Sequence, residues 1–413
     1  MGDYTLRCVA GGEILPEHYT LSCNKHVGLI RTEYAARQLI VRPELPGIFR
    51  YIDWLPVHGT LSTRARPITF HSQTLCREIG LPNLWVTFTG YYPERKCFVT
   101  TGSFKELEAL PTIVRFAENG GGTMVIASAG NTGRAFAQMA AEFGTSVVIV
   151  VPESSTKNLW TVTEPKQPNM IKLITVHGDY TDAITVANRI TEHQGYVPEG
   201  GAKNVARRDG MGTVLLDAAI TIRRMPDHYF QAVGSGTGGI ATWEAAMRLV
   251  ADGRFGQNVP QLHLAQNLPF IPMVNAWKER RILLLERDMP DAEEAIAQVS
   301  APVLTNRSPP YSIPGGVFEA MTYCGNDMYA IDNAKAADAG RLFSDAENGV
   351  DLDPAAAVAT AALISAVNNG TVDPRDTILL NITGGGYVRV REDFDIFPIP
   401  IAETVNVDEM PEI

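Results

Sequence analysis

Residues 229–253 read YFQAVGSGTGGIATWEAAMRLVADG, and the way this stretch divides carries the reading of the fold. YFQAV is a short apolar run suited to a buried strand, GSGTGG is a tight glycine-rich turn, and IATWEAAMRLVADG is a helix-like segment. The strand-like QLHLAQ follows. A strand, a glycine turn, a helix and a second strand make one unit of a parallel α/β sheet.

The same alternation runs outward in both directions. TMVIAS is followed by AGNTGRAFAQMAAEFG, in which Ala135, Phe136, Met139, Ala140 and Phe143 recur at helical spacing and Gly144 supplies a stop. SVVIVVPE reads as the next buried strand, and KLITVHGDY, TDAITVANRITEHQ and GYVPEG repeat the pattern. Later, Asp353 caps the Ala-rich helix DPAAAVATAALISAVNNG, with Pro354 in its first turn, and the strand TILLNIT runs into three glycines. The pattern predicts parallel-rich sheets flanked by helices. A chain of 413 residues predicts two packed lobes rather than one core.

Composition narrows the function. Hydrophobic residues make up 45% and charged residues 20%, a globular and soluble balance, and the net charge of −11 argues against a protein that coats nucleic acid. No run of about 18 uncharged apolar residues marks a membrane span, and MGDYTLRCVAGG lacks an apolar signal core, so a cytoplasmic protein is expected. Five scattered cysteines predict reduced thiols rather than a disulfide framework. In LRCVAGGEILPEHYTLSCNKHVGLIRTEY, Cys8, Cys23 and His26 are three candidate metal ligands. Gly11 stands where a CxxC pair would place the partner of Cys8, so no metal is expected.

Open α/β sheets bind ligands beyond the carboxyl ends of their strands. Three loops there have suitable chemistry. SAGNTG offers the N–H groups of a helix start together with Ser128, Gly130, Asn131 and Thr132, which suit a carboxylate or phosphate. In GSGTGG the residues Gly234, Ser235, Gly236, Thr237, Gly238 and Gly239 fit a dinucleotide fingerprint. The following strand, however, ends in Gln266 rather than in a ribose-binding acid, so a phosphate monoester fits better. In NITGGGY a strand delivers Thr383 to an opening where glycines let a flat ligand approach the backbone. Upstream, TGSFKELEALPT puts Lys105 at a helix entrance.

These motifs, in this order and over nearly the whole chain, resemble pyridoxal-phosphate enzymes of the tryptophan-synthase-β type, fold type II. The resemblance implies pyridoxal 5'-phosphate as cofactor, with Lys105 as the Schiff-base lysine and Asn131 facing the 3'-oxygen of the ring. It also implies Gly234 to Gly239 as the phosphate cradle, Thr383 as partner of the pyridine nitrogen, and Ser128, Gly130, Asn131 and Thr132 around the substrate carboxylate. NVARRDGMGTVLLDAA and GVDLDPAAAVATAAL resemble the threonine synthases within that type, and the N-terminal segment resembles their degenerate zinc ribbon. Where threonine synthases follow the lysine with Asp-Arg, this chain has Glu106 and Leu107. HGTLSTRARPITF, with Arg64 and Arg66, replaces a GEGxTPL-like stretch, and both changes are expected near the substrate side chain.

The SFKELEA version resembles the cysteate synthases. That resemblance implies a β-replacement turning O-phospho-L-serine and sulfite into L-cysteate and phosphate, on a route to coenzyme M. Arg64, Arg66, Lys203, Arg207 and Arg208 are candidates for holding the anions. The alternatives are a threonine synthase acting on O-phosphohomoserine or a dehydratase of the same fold, and, in a different class, a non-catalytic nucleotide or ligand binder built on GSGTGG. The expected organisation is a ribbon-like segment 1–45, a large cofactor domain from 46–118 and 225–413, and a small mobile domain 119–224. A homo-oligomer is expected from the family, without nucleic-acid or membrane partners.

Overall fold

The computed structural model describes residues 3–128, 130–167 and 169–413. Three sheets of three or more strands organise them, beside two two-stranded ribbons. The largest runs, edge to edge, Gly325–Ile331, Gln261–Asn267, His228–Ala232, Ile378–Ile382, Leu84–Phe88 and Ile68–His71. Neighbours are parallel except for the last pair, which is antiparallel. The second sheet is wholly parallel, in the order Tyr196–Pro198, Thr123–Ala127, Ser146–Pro152, Ile171–Val176, Ile401–Val405. The third is a small antiparallel sheet of Ile14–Leu15, Tyr4–Cys8 and Ile30–Tyr34. Parallel strands need helices on both faces, and every residue of His228–Ala232 and Ile378–Ile382 is buried. Within this buried layer the Asn381 amide donates to the Tyr229 hydroxyl at 2.7 Å, and that hydroxyl donates to Gln231 at 2.6 Å.

Two segments lie across the boundaries expected from sequence. The C-terminal strand Ile401–Val405 pairs with Ile171–Val176 in the second sheet. The helix Val205–Ile222 packs between the helices Lys105–Glu118 and Thr237–Asp252, against strands of the large sheet. Its glycines explain how closely it lies. A Cβ on Gly210 would sit 2.1 Å from the Leu107 carbonyl oxygen and 2.8 Å from the Pro111 ring. Pro111 has no N–H to return to Leu107, so the Lys105 helix lacks one hydrogen bond where the Val205 helix crosses it. Glycine inside a helix costs about 1 kcal/mol in propensity; here it permits the crossing.

Candidate active site

The carboxyl ends of strands from both sheets face one cleft with about 690 Å³ of open space. Lys105 is the first residue of its helix, and the loop before it is stitched to the last glycine loop. Phe104 N–H donates to the Thr383 carbonyl at 2.9 Å, and Gly385 N–H donates to the Gly102 carbonyl at 2.9 Å. Residues nearly three hundred positions apart thereby share one wall. At the second wall, the helix Asn131–Phe143 begins in the cleft. At the third, Gly236 (φ +79°) turns the chain into the helix Thr237–Asp252, and a Cβ there would lie 2.2 Å from Val317. The Ser235 and Thr237 hydroxyls are 2.8 Å apart at that helix start. Two helix N-termini therefore direct unsatisfied N–H groups at the same space.

Charge in the cleft is organised around Lys105. Its Nζ lies 3.1 Å from Glu108 Oε2, one turn along the same helix. Glu108 Oε1 accepts from the Thr132 hydroxyl at 3.0 Å and pairs with Arg207 at 3.1 Å, and Arg207 reaches Glu199 at 2.7 Å. The Glu108 side chain is fully buried, and Lys105 keeps 19% exposure, towards the cleft. Burial pulls the Lys105 amine below the ordinary lysine pKa; Arg207 adds to this and Glu108 opposes it. Burial likewise raises the Glu199 carboxyl, against the pull of Arg207. For Arg207 burial acts downward, and the two carboxylates outweigh it and raise its pKa.

The candidates from sequence sort clearly by position. Lys105, Ser128, Gly130, Asn131, Thr132, Arg207, Gly234, Ser235, Gly236, Thr237, Gly238 and Thr383 all line the cleft. Gly239 packs on Leu264 behind it. Ser128 is occupied in shaping the turn, because its hydroxyl accepts from Gly130 N–H at 2.9 Å and from Gly133 N–H at 2.7 Å. The Asn131 amide is braced, donating to Asp353 at 3.0 Å and accepting from Arg134 at 2.8 Å. One of its two amide hydrogens remains for the cleft. Lys203 stands in an adjoining outer recess that shares Tyr180 and Arg207 with the cleft.

Three of the basic candidates belong elsewhere. Arg64 stacks 3.4 Å from the Phe98 ring centroid, and Arg66 sits 3.5 Å from the buried Asp217. Arg208 is fully buried, pairs with Glu244 at 2.9 Å and donates to the Ala202 and Ile30 carbonyls, on a helix face turned away from Arg207. Glu106 and Leu107, expected near the substrate, also point away. Thr101 N–H donates to Glu106 Oε2 at 2.9 Å, and Leu107 lies in the core. Sequence reasoning missed Glu108, Tyr180 and Glu199. Only Glu108 had a legible signal, its i,i+3 spacing from Lys105.

A family model described as "Pyridoxal-phosphate dependent enzyme" matches residues 88–384, which span all three walls. The chain belongs to that family. Its cofactor is pyridoxal 5'-phosphate. The chain is 62% identical to a cysteate synthase of Methanocorpusculum labreanum over 100% of both proteins. It is 56% identical to one of Methanoregula boonei (98% of this chain, 95% of the relative) and 52% identical to one of Methanosarcina barkeri (99% and 98%). The fold is shared with a diaminopropionate ammonia lyase of Escherichia coli at 15% identity, with a TM-score of 0.60 over 95% of this chain and 96% of that one. A pyridoxal 5'-phosphate-dependent aspartate racemase gives a TM-score of 0.58 at 18% identity over 79% and 92%. The cleft suits the group: a lysine amine with a lowered pKa for its aldehyde, a glycine turn at a helix start for its phosphate, and a strand-end hydroxyl beside both.

Proposed function

We propose that this enzyme replaces the phosphate of O-phospho-L-serine with sulfite, releasing L-cysteate and phosphate, as a step towards coenzyme M. Relatives named cysteate synthase over the full length support the reading. The observation that carries it is the meeting of two helix N-termini and the Arg207 guanidinium in one cleft of a chain whose net charge is −11. An anionic substrate and an anionic nucleophile both need that local positive field.

When bound, pyridoxal phosphate supplies an electrophilic carbonyl and an electron sink for the bonds at Cα. The remaining work falls to the chain. The N–H groups of Gly234 to Gly238, with the Ser235 and Thr237 hydroxyls, would hold the phosphate of the cofactor, and Asn131 and Thr383 would orient its ring. The substrate carboxylate takes the N–H groups of Asn131 and Thr132, with Ser128 and Gly130 holding the turn. Lys105, whose lowered pKa keeps more of it neutral near pH 7, takes the Cα proton. The Cβ–O bond breaks, phosphate leaves with the bonding pair, sulfite forms the C–S bond with its own lone pair, and Lys105 returns the proton to Cα. Arg207, fixed by Glu108 and Glu199, is placed to draw the two anions, with Lys203 at the outer approach.

The test is to incubate the holoenzyme with O-phospho-L-serine, with and without sulfite, and to quantify cysteate and phosphate. Sulfite-dependent cysteate in step with phosphate release is expected. Threonine formed from O-phosphohomoserine, with no cysteate from phosphoserine, would overturn the reading.

A further inference from the structure

The small N-terminal sheet brings together four side chains that the active site does not use. Cys8 ends the strand Tyr4–Cys8, Glu13 precedes Ile14–Leu15, and Cys23 and His26 lie in the loop before Ile30–Tyr34. One ligand atom from each of Cys8, Glu13, Cys23 and His26 lies within 4.8 Å of all the others. His26 Nδ1 is 3.2 Å from Glu13 Oε1 and 4.0 Å from Cys23 Sγ. Ligands around a tetrahedral zinc, at about 2.0–2.3 Å from the metal, stand about 3.3–3.8 Å apart. The cluster therefore needs to contract by only about 1 Å at its widest to hold such an ion.

Further observations point inward to the same spot. Glu13 Oε2 is buried without a hydrogen-bond partner, a costly state for a carboxylate oxygen. Gly11 N–H faces Cys8 Sγ at 3.4 Å, and Lys25 N–H faces Cys23 Sγ at 3.4 Å. A Cβ on Gly11 would stand 2.1 Å from Glu13 Oε2 and 2.3 Å from His26 Nδ1. The space that a cysteine at position 11 would take is thus filled by the Glu13 carboxylate.

We propose that Cys8, Glu13, Cys23 and His26 form a closed, four-ligand site for one divalent zinc ion per chain. Two thiolates with an imidazole select zinc over the hard cations magnesium and calcium. With all four positions supplied by protein, the site is structural. It braces a small sheet whose satellite core is Leu6 and Ile30 against Val205 of the helix Val205–Ile222. The loop between Glu13 and Cys23 carries Glu17 and Tyr19. Glu17 accepts from Arg115 at 2.9 Å, and the Tyr19 hydroxyl accepts from Asn204 at 3.1 Å, at the start of the helix that bears Arg207.

The experiment measures zinc by mass spectrometry of elements in holoenzyme produced with added zinc and then gel-filtered, alongside Cys8→Ser/Cys23→Ser and Glu13→Gln. One zinc per chain is expected in the unaltered enzyme and none in the double variant. The thiolate charge-transfer band of the cobalt-substituted enzyme should disappear with the double variant and persist in Glu13→Gln. Zinc affinity of Glu13→Gln, from competition with a chromophoric chelator, should fall by at least about tenfold. Because the double variant could fold poorly, the unaltered enzyme is also treated with chelator and then re-supplied with zinc. Protease resistance of the first 34 residues should be lost and regained. Absence of stoichiometric zinc in the unaltered enzyme, equal zinc in the double variant, unchanged affinity in Glu13→Gln, or a Cys8–Cys23 disulfide in the purified protein would each overturn the proposal.

Discussion

Replacing Glu106 with Gln should change how stability depends on pH, and the size of the change follows from the environment of that carboxyl. Glu106 is buried, and Thr101 N–H donates to its Oε2 at 2.9 Å. Burial pushes its pKa from 4.5 up to about 7, against the opposing pull of the Thr101 donors. A folded-state value above the unfolded one means that the protonated form is favoured by folding. The resulting stabilisation is complete below about pH 4.5 and is lost as pH rises through about 7. A shift of this size corresponds to about 3 kcal/mol. Gln keeps an oxygen acceptor for Thr101 and never ionises, so Glu106→Gln should gain about 3 kcal/mol on the wild type between pH 5 and pH 8. Urea unfolding of both holoproteins across that range, followed by circular dichroism, measures the difference. A difference that stays flat with pH would refute the assignment of a desolvated, proton-holding Glu106.

Three further outcomes follow from the same geometry. Glu108→Gln removes the carboxylate that opposes the lowered Lys105 pKa, so the pH at which apoenzyme recaptures pyridoxal phosphate should move to lower values by more than about one unit; an unchanged profile in stopped-flow absorbance would contradict the pairing. Gly210→Ala pushes a methyl into the Leu107 carbonyl at the helix crossing and should cost about 2–4 kcal/mol in thermal or urea unfolding. Arg207→Gln should raise KM for O-phospho-L-serine at least tenfold by about 1.4 kcal/mol of lost anion attraction, whereas Arg66→Gln, away from the cleft, should leave KM nearly unchanged.

What could be read from sequence was what is local. The glycine turns, the helix starts at Asn131 and Thr237, and Lys105 at a helix entrance are each encoded within a few neighbouring residues, and the structure gathers them in one cleft. Arg207 and Arg208 show the limit. They are adjacent in sequence, yet on a fully packed helix one faces Glu108 and the other Glu244, a choice set by long-range packing. Glu199 reaches Arg207 from outside any motif, and Glu13 reaches Cys8, Cys23 and His26 although ligand spacing pointed to position 11. The final strand crosses to the second sheet through pairing with Ile171–Val176, a partner more than two hundred residues away that alternation alone does not specify.

Lys105, in the cleft, is the residue proposed to carry the cofactor. Borohydride reduction of the holoenzyme, followed by proteolysis and peptide mass spectrometry, should find the pyridoxyl-phosphate mass on Lys105 alone, and Lys105→Ala should take up no reducible cofactor. Attachment to any other lysine, or unaltered retention in the alanine variant, would contradict it.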